Sequence, residues 1–156
     1  MNIIQAMESK DYFRGFFDDL ETWRAWQAYL KALFGLQMSK SELRTYKKCT
    51  GLRKPPENLS RESYILSGRR SGKSKIAAMI AVFLATSRDW STSLSPGERG
   101  FVLLIANDKD QAKILKDYIS GILEISPRLQ QFKGKEISYE IELKNRITIS
   151  IRAKSF

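Results

Sequence analysis

The residues best suited to do chemistry lie together in the run Ser67-Gly68-Arg69-Arg70-Ser71-Gly72-Lys73-Ser74. Their spacing compares with the pattern G-x-x-x-x-G-K-[ST], in which a glycine-containing turn wraps backbone amides around phosphate oxygens. Gly72 keeps a side chain out of that turn. The same amides open a helix, whose N-terminal dipole favours negative charge. In this pattern Lys73 reaches the β- and γ-phosphates, and Ser74 places its hydroxyl on Mg²⁺. The departure is at the first position, where Ser67 stands in place of glycine. Gly68 supplies a second flexible point one residue later. Arg69 and Arg70 add two charges inside the loop that could contact a γ-phosphate or a DNA backbone.

A GKS tripeptide alone means little, so the flanking elements decide its weight. Tyr64-Ile65-Leu66 is a short apolar run, read as a buried parallel strand leading into the loop. A helix from about Lys73 to Ser87 follows, apolar nearly all round from Ile76 to Ala85, as expected of a helix packed on a sheet and on neighbours. Ser91–Gly100 reads as a loop turning at Pro96-Gly97. Phe101–Ala106 is the clearest strand, and Asn107 or Asp108 is placed to cap a helix over about Lys109–Glu124. Ser126-Pro127 stops that helix. Ile137, Tyr139, Ile141 and Leu143 then alternate with polar residues, as do Ile147, Ile149 and Ile151. Lys144-Asn145 reads as the turn of an antiparallel hairpin between them.

Upstream, Leu20, Trp23, Trp26, Tyr29, Leu30 and Leu33 recur at helical steps, which predicts an amphipathic helix over 20–35 with Gly35 as its left-handed cap. Its aromatic stripe reads as packing surface rather than a base-stacking platform. Ser39-Lys40-Ser41-Glu42 fits a capping box, with Met38 and Leu43 placed for a hydrophobic staple; Gly51 ends that helix. Pro55-Pro56 and Asn58 make an extended linker. The expected organisation is therefore a helical N-terminal region and linker over 1–58. Residues 59–156 then form an α/β P-loop NTPase-type domain with an incomplete parallel sheet, ending in a β-hairpin.

Composition narrows the chemistry. The chain of 156 residues has no histidine, which removes Ser-His-Asp and Cys-His catalysis and most catalytic zinc designs. Its single cysteine, Cys49, can form neither an internal disulfide nor a CxxC site, and reads as structural. The net charge is +10, and residues 40–75 supply +8 of it through eleven Lys/Arg against three Glu. Such a window, with Lys47, Lys48, Arg53 and Lys54 at its centre, suits a polyanion such as nucleotide phosphate or nucleic acid. Met1–Asp11 lacks the layout of a signal peptide, and the longest apolar run, Ile76–Ala85, is too short to cross a bilayer. A soluble, reduced setting and no membrane partner are expected.

Gly68-Arg69-Arg70-Ser71-Gly72-Lys73-Ser74 resembles the deviant Walker A of phage terminase large subunits, which often carry arginine early in the loop and lack the usual first glycine. Glu21–Leu36 and Glu42–Gly51 look like the helices preceding the ATPase core in that family. Phe101–Gln111, an apolar strand running into Asn107-Asp108-Lys109-Asp110-Gln111-Ala112, is similar to the strand–helix unit after their P-loop. In that family the domain hydrolyses ATP to drive viral DNA into a procapsid, and a separate nuclease domain cuts the concatemer. The resemblance implies ATP and Mg²⁺ as cofactors, with Ser67–Ser74 binding nucleotide, Ser74 on the metal, and Lys73, Arg69 and Arg70 acting on the phosphates. It implies double-stranded DNA as partner, together with the portal or procapsid and a small terminase subunit. A homo-oligomer when full length and a location in the bacterial host cytoplasm are implied as well.

Hydrolysis in that family also needs a Walker B carboxylate and a glutamate that orients water. Val102–Ala106 followed by Asn107-Asp108 imitates a Walker B, but Lys109 occupies the place of the glutamate, and Asp108 is expected to be a helix cap. The chain is expected to be an N-terminal fragment, a shortened reading frame or half of a split gene, binding nucleotide without turning it over alone. A helicase- or recombination-type P-loop motor and a non-catalytic basic DNA-binding module are the alternatives.

Overall fold

A computed structural model describes residues 1–52 and 54–154. Among them, six α-helices and four strands form a mixed α/β structure: α1 (Ile3–Glu8), α2 (Arg24–Leu33), α3 (Lys40–Thr50), α4 (Lys73–Thr86), β1 (Gly100–Ala106), α5 (Lys109–Glu124), α6 (Pro127–Gln130), β2 (Lys133–Ile137), β3 (Glu140–Leu143) and β4 (Ile147–Ala153). No helix among the described residues is long and apolar enough to cross a membrane.

The local signals act as their chemistry requires. Ser39 accepts from the Glu42 amide while Glu42 accepts from the Ser39 amide, closing the capping box that starts α3. Gly51 ends the helix in the left-handed region at φ 69°. Burial pushes the Glu42 carboxyl up, but hydrogen bonds from Lys31 and Ser39 outweigh it and hold the group below its ordinary value. The expected long helix over 20–35 is shorter. Asp19 caps a 3₁₀ turn over Leu20–Trp23, its side chain accepting the Glu21 amide, and α-helical geometry starts only at Arg24. Gly35, at φ 63°, lies so close to Asn58 that a Cβ there would meet that residue's backbone at 2.5 Å. The Ser60 amide donates to the Leu33 carbonyl at 2.8 Å beside it. The linker is thus strapped across the end of α2.

The sheet order is β1-β4-β3-β2. β1 runs parallel to β4 with Val102 opposite Ile149, and β3 runs antiparallel to β4 with Ile141 opposite Ile149. Two strand expectations need correction. The alternating run from Ile137 to Leu143 is two strands, because Ser138 takes a positive φ of 47° and turns β2 back on β3. The Lys144-Asn145 turn does join a hairpin, β3 to β4, where Asn145 donates to the Ala85 carbonyl at 2.7 Å and ties the turn to the end of α4.

The second correction concerns Tyr64-Ile65-Leu66, which is not a strand. The sheet stops at β1, so the segment has no backbone partner among the described residues, and Tyr64 is 92% exposed with Leu66 fully so. α4 and α5 pack on one face of the sheet against β1 and β4. Val102, Leu104 and Ala106 of β1 face inward, while Phe101, Leu103 and Ile105 are exposed. The sheet is therefore mixed, with a single parallel pair.

One continuous apolar core joins the N-terminal helices to this α/β layer. Ile3, Met7, Phe13, Phe17 and Leu30 are buried with Ile76, Met79 and Val82 of α4, Ile119 and Ile122 of α5, and Ile149 and Ile151 of β4. Polar β4 positions are satisfied where they are buried: Arg99 donates to the Thr148 hydroxyl at 3.0 Å, and the Ser150 hydroxyl donates to the Glu140 carboxylate at 3.3 Å.

Candidate phosphate-binding site

The loop from Ser67 to Gly72 has no regular structure and turns into α4 through two residues of positive φ, Arg70 at 59° and Gly72 at 86°. Arginine tolerates that region poorly, so the turn holds Arg70 in a strained conformation. Gly72 is the N-cap of α4 and has no side chain to offer, so no side-chain cap hydrogen bond closes the helix. The amides of its first turn are left as free donors at the positive end of a fourteen-residue helix. Lys73 folds back to donate to the Gly68 carbonyl at 3.4 Å, which keeps its ammonium at the loop mouth. The Ser71 hydroxyl oxygen is buried and has no hydrogen-bond partner.

A cavity of about 710 Å³ lies against this loop, lined by Arg70, Ser71, Gly72, Lys73 and Ser74 together with Trp23 and Trp26. A volume of this order accommodates a nucleoside triphosphate. Ser67 and Gly68 instead line a neighbouring cavity of about 690 Å³ between α2, α3 and the linker. Arg69 lines neither and is exposed. The eight loop residues are thus divided: five converge on one space, two turn to the other side, and one faces solvent. The free helix amides, the lysine and the two hydroxyls of Ser71 and Ser74 suit a phosphate–metal ligand.

Sequence reasoning assigned the aromatic stripe of α2 to packing and did not bring it to the loop. In the structure the Trp26 indole donates to the Ser71 carbonyl at 2.7 Å. Trp23 lies over Gly72 so closely that a Cβ there would sit 2.5 Å from its ring. Lys75, one turn into α4, donates to the Phe16 carbonyl at 3.2 Å and lies over the rings of Phe16 and Trp23 at 4.8 and 5.8 Å. No spacing signal announces these contacts, because Trp26 and Ser71 are 45 residues apart.

Asp108 is the N-cap of α5, accepting from the Gln111 amide at 2.8 Å, as expected of a cap. No Asp or Glu is among the described residues that line the loop cavity. The basic window is carried mainly on α3, where Lys40, Arg44, Lys47 and Lys48 share one exposed face at helical spacing. None of Arg44, Lys47, Lys48 and Lys54 forms an ion pair among the described residues; Arg53 lies outside them. Cys49 is exposed on the same helix. Comparison with family models, with curated proteins and with solved structures finds no match to this chain.

Proposed function

We propose that this chain binds Mg·ATP at the Ser71–Ser74 loop, and that it is the ATP-binding portion of a terminase-type motor that drives double-stranded DNA into a procapsid. The observation that carries the nucleotide reading is the start of α4. A glycine N-cap, uncapped first-turn amides, a lysine at the mouth and a buried, unpartnered hydroxyl all meet one cavity large enough for the ligand. Lys73 would hold the β- and γ-phosphates, Ser74 the metal, and Arg70 the outer phosphate oxygens. Mg²⁺ held by Ser74 would supply neutralisation of the phosphate charge. What supports the motor reading is the resemblance of the arginine-bearing loop and its flanking helices to terminase large subunits. Portal or procapsid, a small subunit and further copies of the chain would be its partners.

In this reading the chain binds nucleotide and does not turn it over alone, since no carboxylate among the described residues lines the loop cavity to order metal-bound water. Calorimetric titration of the chain with Mg·ATP is expected to show saturable binding without release of phosphate. Absence of any binding heat at millimolar nucleotide would sink the proposal.

One observation favours a second reading, a DNA-binding module. Like charges four residues apart destabilise a helix, and Lys40–Arg44–Lys48 on α3 stand so without carboxylate partners among the described residues. A polyanion would relieve that repulsion. This reading expects duplex affinity that falls steeply with salt, survives Lys73→Ala, and drops about tenfold or more on combined neutralisation of Lys47, Lys48, Arg53 and Lys54. No duplex affinity at low salt would dismiss it.

A further inference from the structure

The loop that meets the cavity is held from outside by very little. Among the described residues, the hydrogen bonds made by Ser67–Gly72 are the Lys73 and Ile76 contacts of the loop and its own helix, and one other, from Trp26 to the Ser71 carbonyl. That bond is short, at 2.7 Å, and half-buried, whereas the Lys73 bond is long, at 3.4 Å, and exposed.

We infer that Trp26 is a positioning residue for phosphate binding, one that holds the Ser71–Gly72 peptide so that the Gly72 amide is free to meet an anion. The inference rests on the phosphate-loop reading above. In a planar trans peptide the carbonyl oxygen and the following N–H point in opposite directions. With the Ser71 carbonyl held by the indole, the Gly72 N–H points away from Trp26, and nothing among the described residues accepts it. A flip of this peptide would put a carbonyl oxygen where the amide now stands and turn an anion site into an anion-repelling one. Trp23 constrains the same peptide through Gly72. Its ring covers Gly72, so the chain can pass into α4 at φ 86° only without a Cβ. Trp26 also lines both the loop cavity and its neighbour, standing where the two meet at Ser71. The unpartnered Ser71 hydroxyl belongs to the same held residue.

Because the indole acts on a peptide and not on a base, its removal should weaken every phosphate ligand alike. The test uses the full chain with Trp26→Phe, and a second variant carrying benzothienylalanine at position 26. The latter keeps the bicyclic ring and lacks only the N–H. Tripolyphosphate and Mg·ATP are titrated into each, with Lys73→Ala alongside. Both position-26 variants are expected to bind both ligands about tenfold more weakly, the worth of one charge-assisted hydrogen bond, with the benzothienyl variant melting close to wild type. In ¹⁵N spectra, tripolyphosphate is expected to move the Gly72 amide resonance in the wild type and to leave it nearly unmoved in the variants. Unchanged affinity at position 26 while Lys73→Ala loses binding would overturn the inference and leave the loop reading standing. A loss confined to Mg·ATP would also overturn it, and would make Trp26 a base-stacking residue instead. Tripolyphosphate binding that is unaffected by Lys73→Ala would remove the phosphate-loop reading itself.

Discussion

Lys73→Ala is expected to abolish measurable Mg·ATP binding by the isolated chain while leaving its fold intact. The lysine is exposed, its one hydrogen bond is the long contact to the Gly68 carbonyl, and nothing in the core depends on it. Truncation therefore costs the native structure little. The ligand, in contrast, loses the ammonium that faces its phosphates and keeps only backbone amides and neutral hydroxyls. A charge-assisted contact of this kind is worth about 10- to 100-fold in affinity, enough to take a weak site out of calorimetric range. Circular dichroism should be unchanged. Equal ATP affinity in wild type and variant would dismiss the assignment of the loop.

Gly72→Ala should do the opposite, damaging both binding and stability. At φ 86° an alanine is held in a left-handed conformation that costs about 1–2 kcal/mol. Its Cβ would also lie 2.5 Å from the Trp23 ring, which cannot easily retreat. Phe17 packs edge-on against that ring at 4.9 Å, and the Lys75 ammonium lies over it. Forcing the ring aside adds a cost of about 1–3 kcal/mol. For a chain of this size the sum corresponds to a fall in melting temperature on the order of 10 °C. Because the displaced peptide carries the Gly72 amide, affinity for Mg·ATP should fall at least tenfold as well. Removing the obstacle in Trp23→Ala/Gly72→Ala should recover the steric part and leave the backbone part, so the double variant should fall short of additivity. A Gly72→Ala chain with wild-type melting and affinity would refute both arguments.

Much of the local structure was legible in advance because its chemistry is local. The capping box at Ser39, Gly35 as a left-handed cap, the end of α3 at Gly51, the Asp108 cap and the start of α4 at Lys73 follow from the conformations and donors of neighbouring residues. The failures share a different cause. Tyr64-Ile65-Leu66 has the composition of a buried strand, but a strand forms only against a partner, and the sheet ends at β1. Likewise Ile137–Leu143 has the right alternation for one strand, yet Ser138 turns it so that β2 can pair with β3. Periodicity reports which residues suit a strand and is silent about which edge is available.

The sequence by itself determined the loop, its lysine and hydroxyls, the helix that starts there, and the basic face of α3. Each of these depends on residues within a turn or two of one another. Only the tertiary structure decided which loop residues share a space, sending Arg70–Ser74 to one cavity, Ser67 and Gly68 to another and Arg69 to solvent. It also decided that an aromatic stripe 45 residues upstream should stand over Gly72 and hold the Ser71 carbonyl. Such contacts arise from packing the Leu20–Trp23 turn and α2 against the loop that leads into α4, and side-chain spacing along the chain carries no information about that distance.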